Sequence, residues 1–464
     1  MVSSWPACNS DCDTQSWEKS DRLVSIAGES LVDVLVSESD RPGYFVGDMS
    51  SLNMIEMPMR EFLDRQSDSE TCSCLYVAQA PVAVADMSAQ LDEANLESDT
   101  RKRKLSETNS NTSAKTNAVN MFPGPLYPLM KDISIPDMLS DARLSSINAW
   151  CSKGKKTTSS LHFDPHDGLL CVVCGEKKVR LLPPTATPHI RARPLYHESS
   201  NHALVNIWSD QADMQHLLTL GLKEHTVYPG DAVFIPQGWW HQVESDNGTF
   251  AINFWWDRDI SFPGFQHCTT HVEQSPSMHG YVFRRACESL LYEARLAILQ
   301  EATQTEHVKS LSQRLQCMTR TSMKHDYLLG HMAKHKTTDG QYASYDTIMA
   351  YLYSQGLDTA TEFLLHVAES RPEIISDFLE NASPLCWEIL TLGLETSGDS
   401  NRERTLTSTV TSETHLSDFY RCIYSCYSQK EPTSSLTAIM LKQKEHFSRQ
   451  ALVHRVLNPW LGLS

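Results

Sequence analysis

The sequence predicts a mainly antiparallel β domain followed by a helical region. Between residues 159 and 256, short apolar runs rich in β-branched side chains end repeatedly at Gly or Pro turns. Beyond about residue 263, apolar positions recur at helical spacing instead. With 464 residues, of which 41% are hydrophobic, the chain is long enough for more than one core. We therefore expect an antiparallel sandwich or barrel and a separate helical part.

The N-terminal part is expected to add elements to the β domain. Residues 1–20 are polar and without periodicity, which predicts disorder. Two apolar runs at 23–28 and 31–36, separated by a glycine turn, indicate two strands. A short helix is predicted at 59–63 and a further strand at 74–78, so residues 21–87 form the N-terminal part of the domain.

A polar stretch at 88–120, rich in Ser, Asn, Thr and charged residues, is predicted to be a disordered insertion. It contains four consecutive basic residues, Arg101 to Lys104, which are either a nuclear import signal or a solvated charge cluster. Thirteen scattered cysteines and no apparent signal peptide favour a reducing compartment. The expected location is therefore the nucleus, the cytoplasm or both.

Residues 121–262 are expected to form the core of the β domain. Ordered patterning resumes at 133–136 and leads to a strand at 159–164. The continuous apolar run at 169–174, which ends at Gly175, is typical of a strand buried on both faces. Further strands are predicted at 178–182, 225–228, 232–235, 241–243 and 251–256.

Residues 263–464 are predicted to be helical. Apolar side chains at 290–302, 348–352 and 363–367 follow a period near 3.6. A formal charge of -17 argues against general binding to nucleic-acid backbones. The sequence contains no run of about twenty apolar residues, so no membrane span is predicted.

A candidate metal site follows from two short motifs. His162 and Asp164 lie two residues apart, so on an extended strand their side chains project from the same face. If the fold brings His241 to the same point, two histidines and one carboxylate bind one side of a metal ion. That arrangement is the facial triad of non-haem Fe(II) oxygenases.

Five stretches carry a family resemblance: Ser-Ser-Leu-His-Phe-Asp-Pro at 159–165, Cys-Gly-Glu-Lys-Lys at 174–178, Pro-Gly-Asp-Ala-Val-Phe-Ile-Pro at 229–236, Trp-Trp-His at 239–241 and Asn-Phe-Trp at 253–255. In order and spacing, the chain resembles the JmjC-type, cupin-like oxygenases that use Fe(II) and 2-oxoglutarate. The resemblance implies a double-stranded β-helix, also called a jelly roll or cupin fold.

The resemblance also implies roles for individual residues. Fe(II) would be held by His162, Asp164 and His241, and O2 and 2-oxoglutarate would react at the metal. Lys177 falls where the family places the cation for the far carboxylate of 2-oxoglutarate; Lys178 or Arg180 pointing inward is the alternative. Three further residues match co-substrate contacts of the family, or are ordinary strand residues: Ser159, Tyr76 and Asn253.

The implied reaction decarboxylates 2-oxoglutarate to succinate while a C–H bond of the substrate is hydroxylated. The substrate is expected to be a protein, with a histone as one option, and the outcome is side-chain hydroxylation or lysine demethylation. No recognisable chromatin-reading zinc module is present, which favours hydroxylation. Gly168 departs from relatives that carry a polar side chain there. The alternatives are a non-catalytic binding module and an oxygenase that acts on tRNA or a small molecule. The resemblance also suggests a homodimer formed through the helical region.

Other candidate sites are interpreted as structural. Cys171 and Cys174 have zinc-like spacing but no second pair, and Cys422 and Cys426 are one helical turn apart; both pairs are interpreted as packing residues. Three histidines in an unpatterned loop are interpreted as solvated rather than as a second metal site: His189, His197 and His202. Trp239 and Trp240 are expected to wall the barrel mouth rather than to stack on bases.

Overall fold

The computed structural model describes residues 2–3, 20–37, 42–45, 47, 53–65, 74–85, 121–140, 142–209, 212–256, 278–333, 343–396, 422–427 and 433–463. The chain forms two compact units. The first, here called the β unit, comprises Met1–Pro194 and Ser199–Arg285, and the second, the helical unit, comprises Leu195–Glu198 and Ala286–Ser464. Residues 4–19 and the predicted insertion with its basic run Arg101 to Lys104 lie outside the described residues, and the predicted domain boundaries stay predictions.

Two sheets build the β unit, and all their strand pairs are antiparallel except the parallel pair of β3 with β8. The larger has the strand order β1-β12-β9-β14-β7-β5-β2-β4, with β6 paired to β5. Its strands are β1 Val2–Ser3, β2 Leu31–Val36, β4 Asn53–Pro58, β5 Leu75–Ala85, β6 Met121–Pro123, β7 Leu144–Lys153, β9 Asp167–Cys174, β12 Asp231–Ile235 and β14 Phe250–Trp256. The smaller sheet has the order β11-β10-β13-β8-β3 and consists of β3 Tyr44–Phe45, β8 Thr157–Ser159, β10 Lys177–Leu182, β11 Lys223–Val227 and β13 Trp240–Ser245.

The core of the β unit lies between the sheets. β9 is buried along almost its whole length, which confirms the predicted strand buried on both faces. Leu170 and Val172 pack inward against Val179 and Leu181 of β10. Leu169, Cys171 and Val173 lie on the other face of β9. They belong to an apolar cluster that also contains Phe62 of the N-terminal part. The predicted cupin-like, jelly-roll core is therefore confirmed.

One local prediction was wrong, and two stretches carried no specific prediction. Residues 23–28 are not a strand, because Ser20–Ala27 form helix α1, whose Leu23 and Ala27 are one turn apart and both buried. The patterned run at 133–136 lies between two 3-10 turns, Tyr127–Lys131 and Asp137–Leu139. The ten-residue strand β7 that follows has a mixed pattern that gave no clear signal.

The motif strand expected at 159–164 is also shorter than predicted. β8 ends at Ser159, and beyond it only single bridges join His162 to His202 and to His241. The short helix α2 spans Met59–Asp64, as predicted, and α3 spans Met214–Thr219. The metal-site motif is therefore held by isolated pairings at the end of a sheet.

The helical region is confirmed. Its helices are α4 His279–Thr303, α5 Glu306–Gln316, α6 Thr321–Ala333, α7 Ala343–Gln355, α8 Leu357–Ser370, α9 Pro372–Asn381, α10 Pro384–Thr396, α11 Thr433–Ala451 and α12 Asn458–Leu461. The helical unit has its own apolar core, which includes Phe363, Phe378 and Trp387. Within the ranges that the structure describes, every helix is too short or too polar to cross a lipid bilayer.

Candidate metal centre

Backbone pairing brings the two candidate histidine ligands side by side. The N–H of His162 donates to the carbonyl of His241 at 3.0 Å, and the N–H of His241 donates to the carbonyl of His162 at 2.6 Å. Residues that exchange both bonds in this way point their side chains to the same face. The two imidazole rings accordingly lie with centroids 4.2 Å apart.

Asp164 completes the group. One carboxylate oxygen lies 3.9 Å from Nε2 of His162 and the other 3.5 Å from Nε2 of His241. The candidate ligand atoms of the three residues all lie within 4.8 Å of one another. Gly238 anchors this loop, since its N–H donates to the carbonyl of Asp164 at 3.0 Å. The three residues that the sequence proposed as ligands therefore meet at one point.

Hydrogen bonds fix the orientation of both rings. Nδ1 of His162 donates to the carbonyl of Ser160 at 2.7 Å, and Nδ1 of His241 donates to the carbonyl of Trp239 at 3.0 Å. Because a carbonyl can only accept, each Nδ1 carries a proton, and in the neutral form of each ring Nε2 keeps its lone pair. Both lone pairs are then available for a metal ion, with the backbone contacts that metal-binding histidines usually have.

The protonation states also suit a cation. Burial and the neighbouring His241 lower the pKa of His162 to about 4. For Asp164, burial raises the pKa, but the adjacent histidines outweigh it and the pKa falls to about 2. Burial lowers the pKa of His241, and the carboxylate of Asp164 outweighs this effect, so the net shift is upward. At neutral pH the site offers a carboxylate anion and a neutral His162, the forms that bind metals.

Lys177 lies inside the β unit at the start of β10. It is only 2% exposed, and its Nζ donates to Oγ of Ser245 at 2.7 Å. Burial lowers its pKa to about 8, so the ammonium stays charged at neutral pH. Its Nζ lies 5.9 Å from the centre of the Tyr76 ring. A buried ammonium of this kind suits an anionic group entering the barrel.

The two alternative cations point elsewhere. The side chain of Lys178 is 40% exposed and lies 3.6 Å from the carboxylate of Glu176. Arg180 pairs with Glu224 at 2.8 Å and covers the ring of Trp208 at 3.7 Å. Strand alternation thus leaves Lys177 as the inward-facing cation of β10.

Two polar groups near Gly168 have no hydrogen-bond partner among the residues that the structure describes. Oδ1 of Asn253 and Nε1 of Trp255 are both buried and unpaired. A methyl group added to Gly168 would lie 3.5 Å from that oxygen and 3.2 Å from that nitrogen. Since unpaired buried polar atoms are costly, these two atoms are candidates for pairing with a polar group of a ligand. The residues present thus fit a site for a metal ion and an anionic co-substrate.

Ser159 and Tyr76 have structural partners as well. Oγ of Ser159 accepts the N–H of Val243 at 3.1 Å, which extends the pairing of β8 with β13. The ring of Tyr76 contacts those of Phe45 and Trp150, with centroids 5.2 and 6.0 Å away. A serine hydroxyl that accepts one bond can still donate another. These contacts leave the predicted co-substrate roles of both residues as predictions.

Sequence reasoning missed two glutamines that hold the site loops. The backbone N–H of Gln237 donates to Oδ1 of Asp167 at 2.7 Å, and its side chain donates to the carbonyl of Pro165 at 2.6 Å. Gln242, which is fully buried, donates to the carbonyl of Ser159 at 2.8 Å. Each glutamine is next to a motif residue, but no local pattern distinguishes a glutamine that cross-links loops from an exposed one.

Some predictions about neighbouring residues need correction. His202 is not solvated, because its ring stacks on His162 with centroids 5.0 Å apart. His189 is exposed, and no second metal cluster occurs among the described residues. Trp240 is buried, with Nε1 donating to Oγ1 of Thr187. Among the described residues, Cys171 and Cys174 take part in no disulfide.

Comparison with known proteins places the fold in a family. The model of the cupin-like domain family matches residues 1–262, which is more than half of the chain. The chain belongs to this family. The match spans the motif stretches and both sheets, so it confirms the resemblance to JmjC-type proteins.

Curated relatives carry JmjC-type names. The chain is 43% identical over 167 residues to Lysine-specific demethylase JMJ31 of Arabidopsis thaliana, covering 35% of this chain and 28% of that protein. It is 35% identical over 136 residues to Lysine-specific demethylase 8 of Danio rerio, covering 28% and 32%. It is 26% identical over 143 residues to the human Bifunctional peptidase and (3S)-lysyl hydroxylase JMJD7, covering 26% and 45%. The chain thus spans less than half the length of these relatives.

Proposed function

We propose that this cupin-like protein is an Fe(II)- and 2-oxoglutarate-dependent oxygenase that modifies a protein side chain. The observation that carries the proposal is the convergence of His162, Asp164 and His241 on one point, with both Nε2 lone pairs turned toward it. A ligand set of this composition leaves positions of the metal open for co-substrates. Lys177, which is buried inside the β unit, supplies a cation.

The protein's own residues would divide the work as follows. His162, Asp164 and His241 would hold Fe(II), which supplies the oxidising chemistry when it is bound with 2-oxoglutarate and O2. Lys177 would neutralise the far carboxylate of 2-oxoglutarate while Ser245 orients the ammonium.

The aromatic and amide residues of the barrel would shape the rest of the pocket. Tyr76 and Asn253 would line it from β5 and β14, and Ser159, at the end of β8, would add a hydroxyl group. The apolar side chains of the barrel would exclude water, which would strengthen the contact between an anion and Lys177.

The substrate class follows from the relatives. Their names describe action on lysine, as a demethylase in two cases and as a (3S)-lysyl hydroxylase in the third. We infer a protein substrate, with a histone among the candidates. Hydroxylation leaves the product with one added oxygen atom, whereas demethylation removes a methyl group as formaldehyde, so the mass of a modified peptide separates the two outcomes.

Succinate formation tests the proposal. Purified protein with Fe(II), ascorbate and 2-oxoglutarate is expected to release succinate, and Asp164→Ala is expected to abolish this release. Asp213→Ala is a matched control, because Asp213 caps helix α3 outside the candidate centre. Equal succinate release by the wild type and Asp164→Ala would refute the proposed activity.

Location and assembly are separate proposals. We expect the protein in the nucleus, the cytoplasm or both; a fluorescent reporter fused to residues 95–110 tests whether Arg101 to Lys104 direct nuclear import. We also propose a homodimer formed through the helical region. A monomer mass by light scattering at micromolar concentration would contradict it.

A further inference from the structure

A third histidine packs against the candidate metal centre. The N–H of His202 donates to the carbonyl of Ser199 at 2.9 Å, and the N–H of the next residue, Ala203, donates to the carbonyl of Leu161 at 2.8 Å. This backbone pairing places the ring of His202 on the ring of His162, with centroids 5.0 Å apart and planes 16° from parallel. His202 is not one of the clustered candidate ligands.

Ser160 links the two stacked rings. Its carbonyl accepts Nδ1–H of His162 at 2.7 Å, and its Oγ is hydrogen-bonded to Nδ1 of His202 at 2.8 Å. On the other side, the ring of His241 lies 4.2 Å from that of His162. His162 is therefore held by a ring on each side and a hydrogen bond at its edge.

Gly47 closes the arrangement behind His202. A methyl group added to Gly47 would overlap the imidazole of His202. The backbone of Gly47 is fixed at both ends, since its N–H donates to Oγ of Ser160 at 3.2 Å and its carbonyl accepts from Oγ of Ser199 at 2.5 Å. The ring of His202 thus lies between Gly47 and His162.

We propose that His202 is a positioning residue that holds His162 in its metal-binding orientation, and that Gly47 keeps His202 in place. The inference rests on the proposed function, because it takes His162 to be a ligand. A ligand side chain whose rotation is already restricted loses less entropy when it binds a metal. Removing the stacked ring leaves His162 held only by the ring of His241 on one side and by the hydrogen bond to Ser160, so its orientation is less restricted.

Cobalt(II) affinity tests this role without turnover. His202→Ala is expected to weaken Co(II) binding by about tenfold or more, in the range found for residues that orient metal ligands. His189→Ala is the matched control, because this histidine is exposed and lies in the same tract. His202→Asn keeps a polar atom near the position of Nδ1, so it is expected to retain the bond to Ser160 and to lose only the stacking.

The thermal midpoint of the metal-free protein separates positioning from stability. We expect His202→Asn to unfold near the wild-type temperature and still to bind Co(II) more weakly. Wild-type affinity in His202→Ala and His202→Asn would overturn the inference. So would an equal loss of affinity in His189→Ala.

A double-mutant cycle tests the part played by Gly47. Gly47→Ala is expected to weaken Co(II) binding in the wild-type background, because the added methyl displaces His202. In the His202→Ala background the same change is expected to have little effect, because the ring is absent. Equal effects in both backgrounds would contradict coupling through His202.

Asp164→Ala distinguishes failure of this inference from failure of the proposed function. If the wild type and Asp164→Ala bind Co(II) equally, the metal centre is wrong and the inference fails with it. If Asp164→Ala loses binding while His202→Ala keeps the wild-type affinity, the metal centre stands and only the role of His202 is wrong.

Discussion

At the scale of single residues, the ammonium group of Lys177 is buried away from water inside the β unit, where it suits an anionic ligand. Its side chain is 2% exposed, and Ser245 provides its hydrogen bond. Burial without a carboxylate partner lowers its pKa to about 8, from a usual value of 10.5. A buried charge of this kind is destabilising in the ligand-free protein, and residues that carry such a cost are often retained for binding.

Replacing Lys177 should therefore separate stability from binding. We expect Lys177→Met to raise the free energy of unfolding of the ligand-free protein at pH 7 by about 1 to 3 kcal/mol, given the size of the pKa shift and the loss of the bond to Ser245. The affinity for 2-oxoglutarate should fall by about 100-fold. Urea unfolding and calorimetric binding measure the two effects, with the exposed Lys178→Met as control. A variant both less stable and unchanged in affinity would contradict the assignment.

The stability difference should depend on pH in a defined direction. Because the pKa of Lys177 is about 8 in the folded protein and near 10.5 in the unfolded chain, the unfolded chain binds more protons between these values. The wild type should gain stability relative to Lys177→Met as pH rises from about 8 to about 10. Below pH 8 the difference should be constant. Urea unfolding at a series of pH values measures this difference. If the excess stability of Lys177→Met over the wild type grows above pH 8, the result is inconsistent with a buried ammonium.

At the scale of elements, the turn between β9 and β10 sets the position of Lys177. Gly175 has φ of +77°, which disfavours residues with a side chain. Its Cβ position lies within 2.7 Å of the backbone of Thr249. Thr249 in turn donates its hydroxyl to the carbonyl of Glu176 at 3.1 Å. The turn is thus both strained for any other residue and packed against the loop between β13 and β14.

Two glycine substitutions separate the cost of a positive φ from the cost of the contact with Thr249. Gly175→Ala should destabilise the protein by about 3 kcal/mol, because it adds a steric clash to the cost of positive φ. Gly230→Ala, at φ of +85° with open space around it, should cost only about 1 kcal/mol. Denaturant unfolding measures both. Similar losses in the two variants would show that the contact with Thr249 is unimportant.

At the scale of the whole molecule, the two units have separate cores. In the helical unit, Glu388 of α10 is 1% exposed and pairs with Arg295 of α4, with Nε to Oε1 at 2.8 Å. Lys444 of α11 donates to Thr391 of α10 at 2.7 Å. A carboxylate buried this deeply needs its cation, so the pair constrains how α4 and α10 pack.

Removing that cation should destabilise the helical unit strongly. We expect Arg295→Met to lower the free energy of unfolding by about 3 to 5 kcal/mol, because the carboxylate of Glu388 stays buried without its arginine. Lys309→Met removes an exposed pair with Glu306 and should change stability by less than about 1 kcal/mol. Unfolding followed by circular dichroism, which reports on helices, compares the two. Equal effects would argue against a role for the buried pair.

The sequence predicted those parts of the molecule whose signal is local. Turn residues and apolar runs predict the strands β9 to β14, and the spacing of the motifs predicts the candidate ligands. The run from Leu23 to Gly28 predicts a strand where α1 forms, because it is short and apolar and such runs fit either structure. The sequence does not predict the stacking of His202, because its neighbours Ser160 and Gly47 are far away in sequence. Isolated bridges, such as those of His162, leave no periodic signal in the sequence. The same holds for a close approach that a glycine such as Gly47 permits because it has no side chain.

Labelled dioxygen provides the most direct test of the central claim that His162, Asp164, His241 and Lys177 form an Fe(II) and 2-oxoglutarate oxygenase centre. In an atmosphere of isotopically labelled O2, the wild type with Fe(II) and 2-oxoglutarate should form succinate that carries one labelled oxygen atom, measured by mass spectrometry. Asp164→Ala should form none. Unlabelled succinate from the wild type, or the same labelled yield from Asp164→Ala, would contradict the claim.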